Sequence, residues 1–323
     1  MTTPTRRSLL ASAAAMAAAS SLLALTGQGT SSAASATAPI IFGAAADSQS
    51  QVLADESVLG HQMEGIRDYK SWDSTLFGAN QTWMRDTGHI IFLSIKAQRT
   101  NGSNIKFADI AAAAPGSQLY KDMQNQAAQI KAFGSLVYII FNHEPEASPV
   151  NGNGPQFAAA FRKFVTVMRA SGVTDAKYVA AFTGWGFSRP DSGNVANYYP
   201  GDAYVDAVGA DVYNWASCRK QPWTSMASLT AGITAWGAAH PTKALMILEW
   251  GSVEDPALPG HKASWIKDTQ ALFKTSAYHQ YTAILQWAGI NTASACSFFY
   301  NTSSTAQAAW KVMGDDPSYV VPY

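Results

Sequence analysis

Short apolar runs that end in polar residues recur along the chain, with amphipathic segments between them. The runs are "IIFGAAAD" from Ile40, "GIRDYKSW" from Gly65, "HIIFLSIK" from His89 and "LVYIIFNHE" from Leu136. They continue with "KYVAAFTGW" from Lys177, "VDAVGADVYNW" from Val205, "ALMILEW" from Ala244 and "YTAILQW" from Tyr281. The run from Leu136 is largely apolar over six residues, as expected of a strand buried on both faces of a parallel sheet. The run from Gly65 is the least apolar. Intervening stretches such as "SQLYKDMQNQAAQIKAF" and "GPQFAAAFRKFVTVMRASG" repeat apolar residues at helical spacing, and the second closes on Gly172 where a helix cap belongs. "SLTAGITAWGAAH" and "HKASWIKDTQALFKTS" are similar. Strand and helix therefore alternate, which implies a parallel sheet with crossover helices. Eight such units predict a single (β/α)8 TIM barrel rather than an open sheet, and no glycine-rich phosphate loop follows the first strand.

The carboxyl ends of these strands collect the polar residues: Asp47, Lys96, His143-Glu144, Thr183 to Trp185, Asp211 to Tyr213, Glu249 and Gln286-Trp287. In a (β/α)8 barrel that is the face where active sites sit. Glutamate is otherwise scarce. The chain has only Glu56, Glu64, Glu144, Glu146, Glu249 and Glu254, so a mechanism needing two carboxylates has few candidates. Net charge is zero and charged residues make up 14%, which gives no basic face for nucleic acid. Of the ten tryptophans most are expected in the core, with some at a binding surface, where a Trp N–H finds a partner more readily.

Residues 1–38 read as an export segment and spacer, followed by one catalytic domain over 39–323. Arg6-Arg7 precedes an Ala/Leu-rich stretch to Leu25 and small residues ending "SATA", the pattern of a twin-arginine signal. A secreted bacterial protein with no membrane span in its mature form is expected; a Sec signal with a chance Arg pair and an uncleaved anchor are the alternatives. Export also bears on Cys218 and Cys296, the two cysteines of the chain, which an oxidising exterior would allow to pair. Both follow strands on the mouth side, after strands six and eight, and a disulfide between them is expected; two free buried thiols are the alternative.

Glu144 ends the fourth candidate strand and Glu249 the seventh, on roughly opposite sides of a barrel mouth. Two opposed carboxylates are the equipment for glycoside hydrolysis, one kept protonated for the leaving oxygen and the other ionised. A lone strand-end glutamate is more often a capping or ion-pairing residue, but this pair sits at matched ordinals with aromatic flanks. Glu146 reads either as a second carboxylate that raises the pKa of Glu144 or as a solvated loop charge, with the latter preferred. A metal site at His143, Glu144 and Glu146 is not expected, because adjacent strand residues point to opposite faces and no second His lies at helical spacing.

The placement of the two glutamates resembles the clan A glycoside hydrolases, and within them glycoside hydrolase family 26, the β-mannanase family. The resemblance is carried by His143 immediately before Glu144, by "YYPGDAYVDAVGADVYNW" over Tyr199 to Trp215, by "ILEWGS" over Ile247 to Ser252 and by the tail "AAWKVMGDDPSY". It covers the second half of the chain better than the first. It implies Glu144 as general acid/base, Glu249 as nucleophile, Tyr213 as a hydrogen-bond donor to the nucleophile and Trp287 as the floor of the cleaved sugar. Asn142 and His143 would contact sugar hydroxyls or orient Glu144, and Trp185 would offer another stacking platform. "IIFNHEPEASP" departs from family mannanases, which carry Arg or Pro shortly before the His. The implied protein is a secreted, retaining, monomeric endo-glycosidase without cofactor or metal, with a β-linked polysaccharide, foremost β-mannan, as its partner. A β-xylanase or β-glucanase on the same fold, or a carbohydrate-binding barrel without turnover, are the alternatives.

Overall fold

The computed structural model describes residues 39–147 and 149–319, and the export reading of residues 1–38 lies outside them. Eight strands pair in parallel and close on themselves: β1 (Ile41–Ala45), β2 (Gly65–Lys70), β3 (Ile90–Ile95), β4 (Val137–Phe141), β5 (Ala176–Thr183), β6 (Ala207–Asn214), β7 (Ala244–Ser252) and β8 (Tyr281–Gln286). Each of the eight apolar runs supplies one strand. Helices α1 (Gln49–Leu59), α2 (Ala79–Asp86), α3 (Phe107–Ala112), α4 (Gln118–Phe133) and α5 (Gly154–Ala170) cover the first half of the barrel. The short α6 (Ala216–Arg219), then α7 (Met226–Ala239), α8 (His261–Phe273) and α9 (Ser304–Gly314) cover the second. Local chemistry sets these boundaries. Asn153 accepts from the Gln156 amide at 3.1 Å while the Gln156 side chain accepts from the Asn153 amide at 3.0 Å, a reciprocal cap that opens α5.

Two apolar layers result. The larger lies between the strands and the helices, where Trp72, Phe141, Phe164 and Trp310 are fully buried. The smaller fills the barrel itself with Ile41, Phe92, Ile140, Val179, Met246 and Leu285. Above this plug the inward positions turn polar: Arg67 and Tyr69 on β2, Asp211 and Tyr213 on β6, and Glu249 on β7. A strand pair that must change from packing to chemistry shows it in its register. Ala210 pairs with Ile247 but Asp211 pairs with Glu249, so Leu248 is an extra residue, a β-bulge. The bulge lets two consecutive side chains face inward, with Leu248 in the barrel plug and Glu249 at the mouth. Leu248 needs Gly209 opposite it, because a Cβ there would stand 2.2 Å from Leu248 Cδ1.

No helix of the described residues is long and apolar enough to cross a membrane. A two-stranded ribbon, β9 (Ile290–Asn291) and β10 (Cys296–Ser297), follows β8 at the mouth. A disulfide joins Cys218 at the end of α6 to Cys296 on this ribbon, with Cα atoms 5.6 Å apart.

Candidate active site

Glu249 is the best-held carboxylate at the mouth. Its Oε1 accepts the Tyr69 hydroxyl at 2.7 Å and Arg67 Nη1 at 3.1 Å, and its Oε2 accepts the Tyr213 hydroxyl at 2.5 Å. Arg67 is wholly buried and reaches across the barrel from β2, also donating to Asp211 Oδ1 at 3.0 Å and to Ser94 Oγ at 3.2 Å. Burial by itself would raise the pKa of Glu249. Arg67 and the two phenols outweigh it and hold the carboxyl below its usual range. His143 adds little charge, since burial and the Arg67 cation depress it to about 4 and leave it neutral near pH 7.

Glu144 has the opposite surroundings. The strand ends at Phe141, and Asn142 and Glu144 then take left-handed backbone angles, with φ of 43° and 49°. Such angles cost a non-glycine residue about 1–2 kcal/mol each, so something must enforce them. The Asn142 amide donates to Ile95 O at 2.8 Å, the Glu144 amide donates to Ala181 O at 2.9 Å, and Asn142 Oδ1 accepts the Ala97 amide at 2.9 Å. The loop is thus pinned to both neighbouring strands. No side-chain donor among the described residues reaches the Glu144 carboxyl. Burial, with Asp211, Glu249 and Glu146 close by, pushes its pKa well above the ordinary range. Burial pushes Asp211 up as well, against the pull of Arg67.

Carboxylate oxygens of Glu144, Asp211 and Glu249 all lie within 4.8 Å of one another. A cleft of about 980 Å³ opens above them, lined among others by Tyr69, Lys96, His143, Trp185, Tyr213 and Trp287. Trp185 is 63% exposed and stands on a 3-10 turn, Gly184–Phe187, after β5. Trp287 leaves β8 beside Tyr213, the ring centroids 6.0 Å apart in an edge-on contact. Trp215 just before α6, Arg219 on it and Asn291 on the disulfide-bound ribbon also line the cleft.

The structure brings together Glu144, Glu249, His143, Tyr213, Trp185 and Trp287. Asn142 does not line the cleft; its side-chain oxygen is spent on the Ala97 backbone. His143 and Glu144 both line it, contrary to the strand alternation expected of them, because the left-handed residues break that alternation. Glu146 is not a solvated loop charge. It is 6% exposed and accepts from the Thr183 amide at 2.6 Å and the Thr183 hydroxyl at 2.9 Å. Arg67, Tyr69 and Asp211 were not singled out from the sequence as site residues. For Arg67 and Tyr69 the signal is the polarity of "GIRDYK" itself, since the alternation Gly65, Arg67, Tyr69 is the inward face of the mouth; for Asp211 it is its place among the polar residues at the end of β6.

Residues 156–249 match the sequence model of glycosyl hydrolase family 26, a span that closes on Glu249 and begins after Glu144. The chain is 25% identical over 287 residues to Endoglucanase H of Acetivibrio thermocellus, covering 82% of this chain and 29% of that protein. It thus spans less than a third of the length of that relative. Among solved structures, a modular endo-β-1,4-mannanase from Cellulomonas fimi superposes with a TM-score of 0.63 at 18% identity, over 88% of this chain and 72% of that one. A family 26 β-mannanase from Bacteroides ovatus does so with a TM-score of 0.60 at 15% identity, over 88% and 90%. These two likenesses speak to the fold. Over residues 156–249 the chain is thus similar in sequence to glycosyl hydrolase family 26, and its barrel is similar in fold to these mannanases.

Proposed function

We propose that the protein is a secreted, retaining endo-glycoside hydrolase acting on a β-linked polysaccharide, with β-mannan first among substrates. The observation that carries this reading is the close pair of carboxylates in contrasting surroundings. Their oxygens lie within 4.8 Å, which favours the narrow carboxyl spacing of about 5–5.5 Å used for direct attack over the roughly 6.5–9.5 Å that admits a water. Glu249, ionised by Arg67 and two phenols, attacks the anomeric carbon. The glycosidic C–O bond breaks as Glu144 gives its proton to the leaving oxygen. Glu144, now a carboxylate, takes a proton from water, whose oxygen attacks the same carbon and releases Glu249. Trp287 floors the sugar at the cleaved bond and Trp185 stacks a neighbouring sugar. The aromatic rings of both platforms suit a neutral glycan.

β-Glucan is the second substrate reading, favoured by the relative named Endoglucanase H. Residues 1–38 serve as the export segment, which fits a polymer too large to enter a cell. The test is reducing-sugar release across β-mannan, β-glucan and β-xylan, with the anomer of the first product followed by NMR. Binding without release on every polymer, or an inverted first product, would defeat the reading.

A further inference from the structure

Glu146 lies two residues beyond the acid, yet the mechanism above makes no use of it. Its carboxyl is buried, with Oε1 serving both the amide and the hydroxyl of Thr183 and Oε2 buried without a partner. Thr183 Oγ1 in turn accepts the Gly186 amide at 3.0 Å, which closes the turn that carries Trp185. A Cβ at Gly186 would stand 2.7 Å from Glu146 Oε1, so the turn and the carboxyl are packed without slack. The circuit returns through Arg189. Its Nη1 donates to the Glu146 carbonyl at 3.3 Å, and Asp191 grips its Nε and Nη2 at 2.8 and 2.9 Å. Its Cζ then lies 4.4 Å from the centroid of the Trp185 ring.

We propose that Glu146 is a positioning residue: its buried carboxyl splints the Glu144 loop to the Thr183–Phe187 turn, so that the proton donor and the Trp185 platform are held as one unit. This rests on the reading of Glu144 as acid/base and Trp185 as a sugar platform. It has a mechanical logic, because Glu144 keeps a strained backbone angle on a loop that needs anchoring near its apex. It has an electrostatic one too. The charged and titratable groups around Glu146 are Glu144 on its own loop, Arg189 and Tyr198 beside it, and Asp211 deeper in the barrel. Burial raises the pKa of Glu146 itself against the pull of Thr183, and in its ionised form it opposes ionisation of Glu144.

The experiment compares wild type, Glu146→Gln, Glu146→Ala, Trp185→Ala and the double alanine variant on the polysaccharide that wild type cleaves fastest. Glu146→Ala is expected to lower kcat/KM by about 10²-fold, the scale of a misplaced catalytic group. Glu146→Gln keeps an oxygen for Thr183 and restores most of that loss. Its basic limb in kcat/KM against pH falls at lower pH than in wild type, because Glu144 loses a like-charged neighbour. In the double variant the losses fall short of their product, since one unit is being broken twice. Should Glu146→Ala not fold, Thr183→Ala takes its place: it removes the hydroxyl that links Glu146 to the Gly186 amide, leaves the Thr183 amide bond, and is expected to lower kcat/KM in the same direction by less. A Gln profile that superimposes on wild type, or strictly multiplicative losses in the double variant, would overturn the positioning role alone. Wild-type inactivity on every polysaccharide would sink the functional reading, and this proposal with it.

Discussion

The ends of β4 and β7 face each other across the cleft and hold the same residue type in opposite ways. Glu249 stays within its strand, aimed by a bulge and gripped by three donors, one of them a cation. Glu144 stands past the end of its strand on a strained loop pinned through backbone, Asn142 and Glu146 atoms, and no donor side chain among the described residues meets its carboxyl. The difference suits the proposed mechanism. A nucleophile needs a fixed direction and a settled charge, whereas a residue that must first give and then take a proton cannot be tied to donors that prefer one of its two states.

Removing Glu249 should break this division of labour most severely. Glu249→Ala is expected to lose at least about 10⁴-fold in kcat with the barrel intact by circular dichroism, and azide should not restore cleavage with retention. Glu144→Ala is milder, about 10²–10⁴-fold on polysaccharide. On an activated aryl glycoside, which needs no acid, the covalent intermediate should still form, and azide should speed its release with retained configuration. Equal losses on both substrates would remove Glu144 from the acid/base role.

Arg67 is where the two environments are set apart. Arg67→Met leaves Glu249 and Asp211 buried without their cation, and a cost of about 3–5 kcal/mol in urea unfolding is expected. Without it the acid limb of the rate profile, set by Glu249 losing its negative charge, moves to higher pH. In the intact protein the activity should fall below the ordinary carboxyl range as Glu249 is protonated, and again well above that range as Glu144 ionises.

His143 offers a test of stability on the Glu144 side. Its folded pKa of about 4 lies below the ordinary value of 6.5, so the unfolded chain takes up the proton first as pH falls. Its contribution is therefore fully present above pH 6.5 and is lost on descent towards pH 4, by at most about 3 kcal/mol. His143→Gln should flatten unfolding free energy across that window. The smallest effect sharpens the account of the bulge. Gly209→Ala drives a methyl into Leu248, directly below Glu249, at a cost of about 1–3 kcal/mol in stability. A drop in kcat at unchanged KM would show that the shift reaches the nucleophile.

The barrel was legible because each strand carries its own apolar run, and burial in a parallel sheet writes itself into consecutive residues. The opposed glutamates were legible for a related reason, being charges at the ends of such runs. The rest depended on contacts between distant segments. Arg67 meets Asp211 and Glu249 only once the barrel closes, and nothing near it in the chain announces the pairing. Left-handed angles at Asn142 and Glu144 turned His143 and Glu144 to one side, where strand periodicity separated them. Glu146 looked like a loop charge because the Thr183 groups that bury it lie in another strand.

The Cys218–Cys296 bridge closes a covalent ring with a sequence separation of 78, and that ring contains β7 and β8 but not β4. A single protease cut between Gln221 and Ser225 would leave Glu144 on one polypeptide and Glu249 on another. The two would still travel as one molecule on a non-reducing gel and part only when the bridge is reduced. The pairing of Glu144 with Glu249 would then outlast an interruption of the chain that joins them, so long as the surroundings remain oxidising.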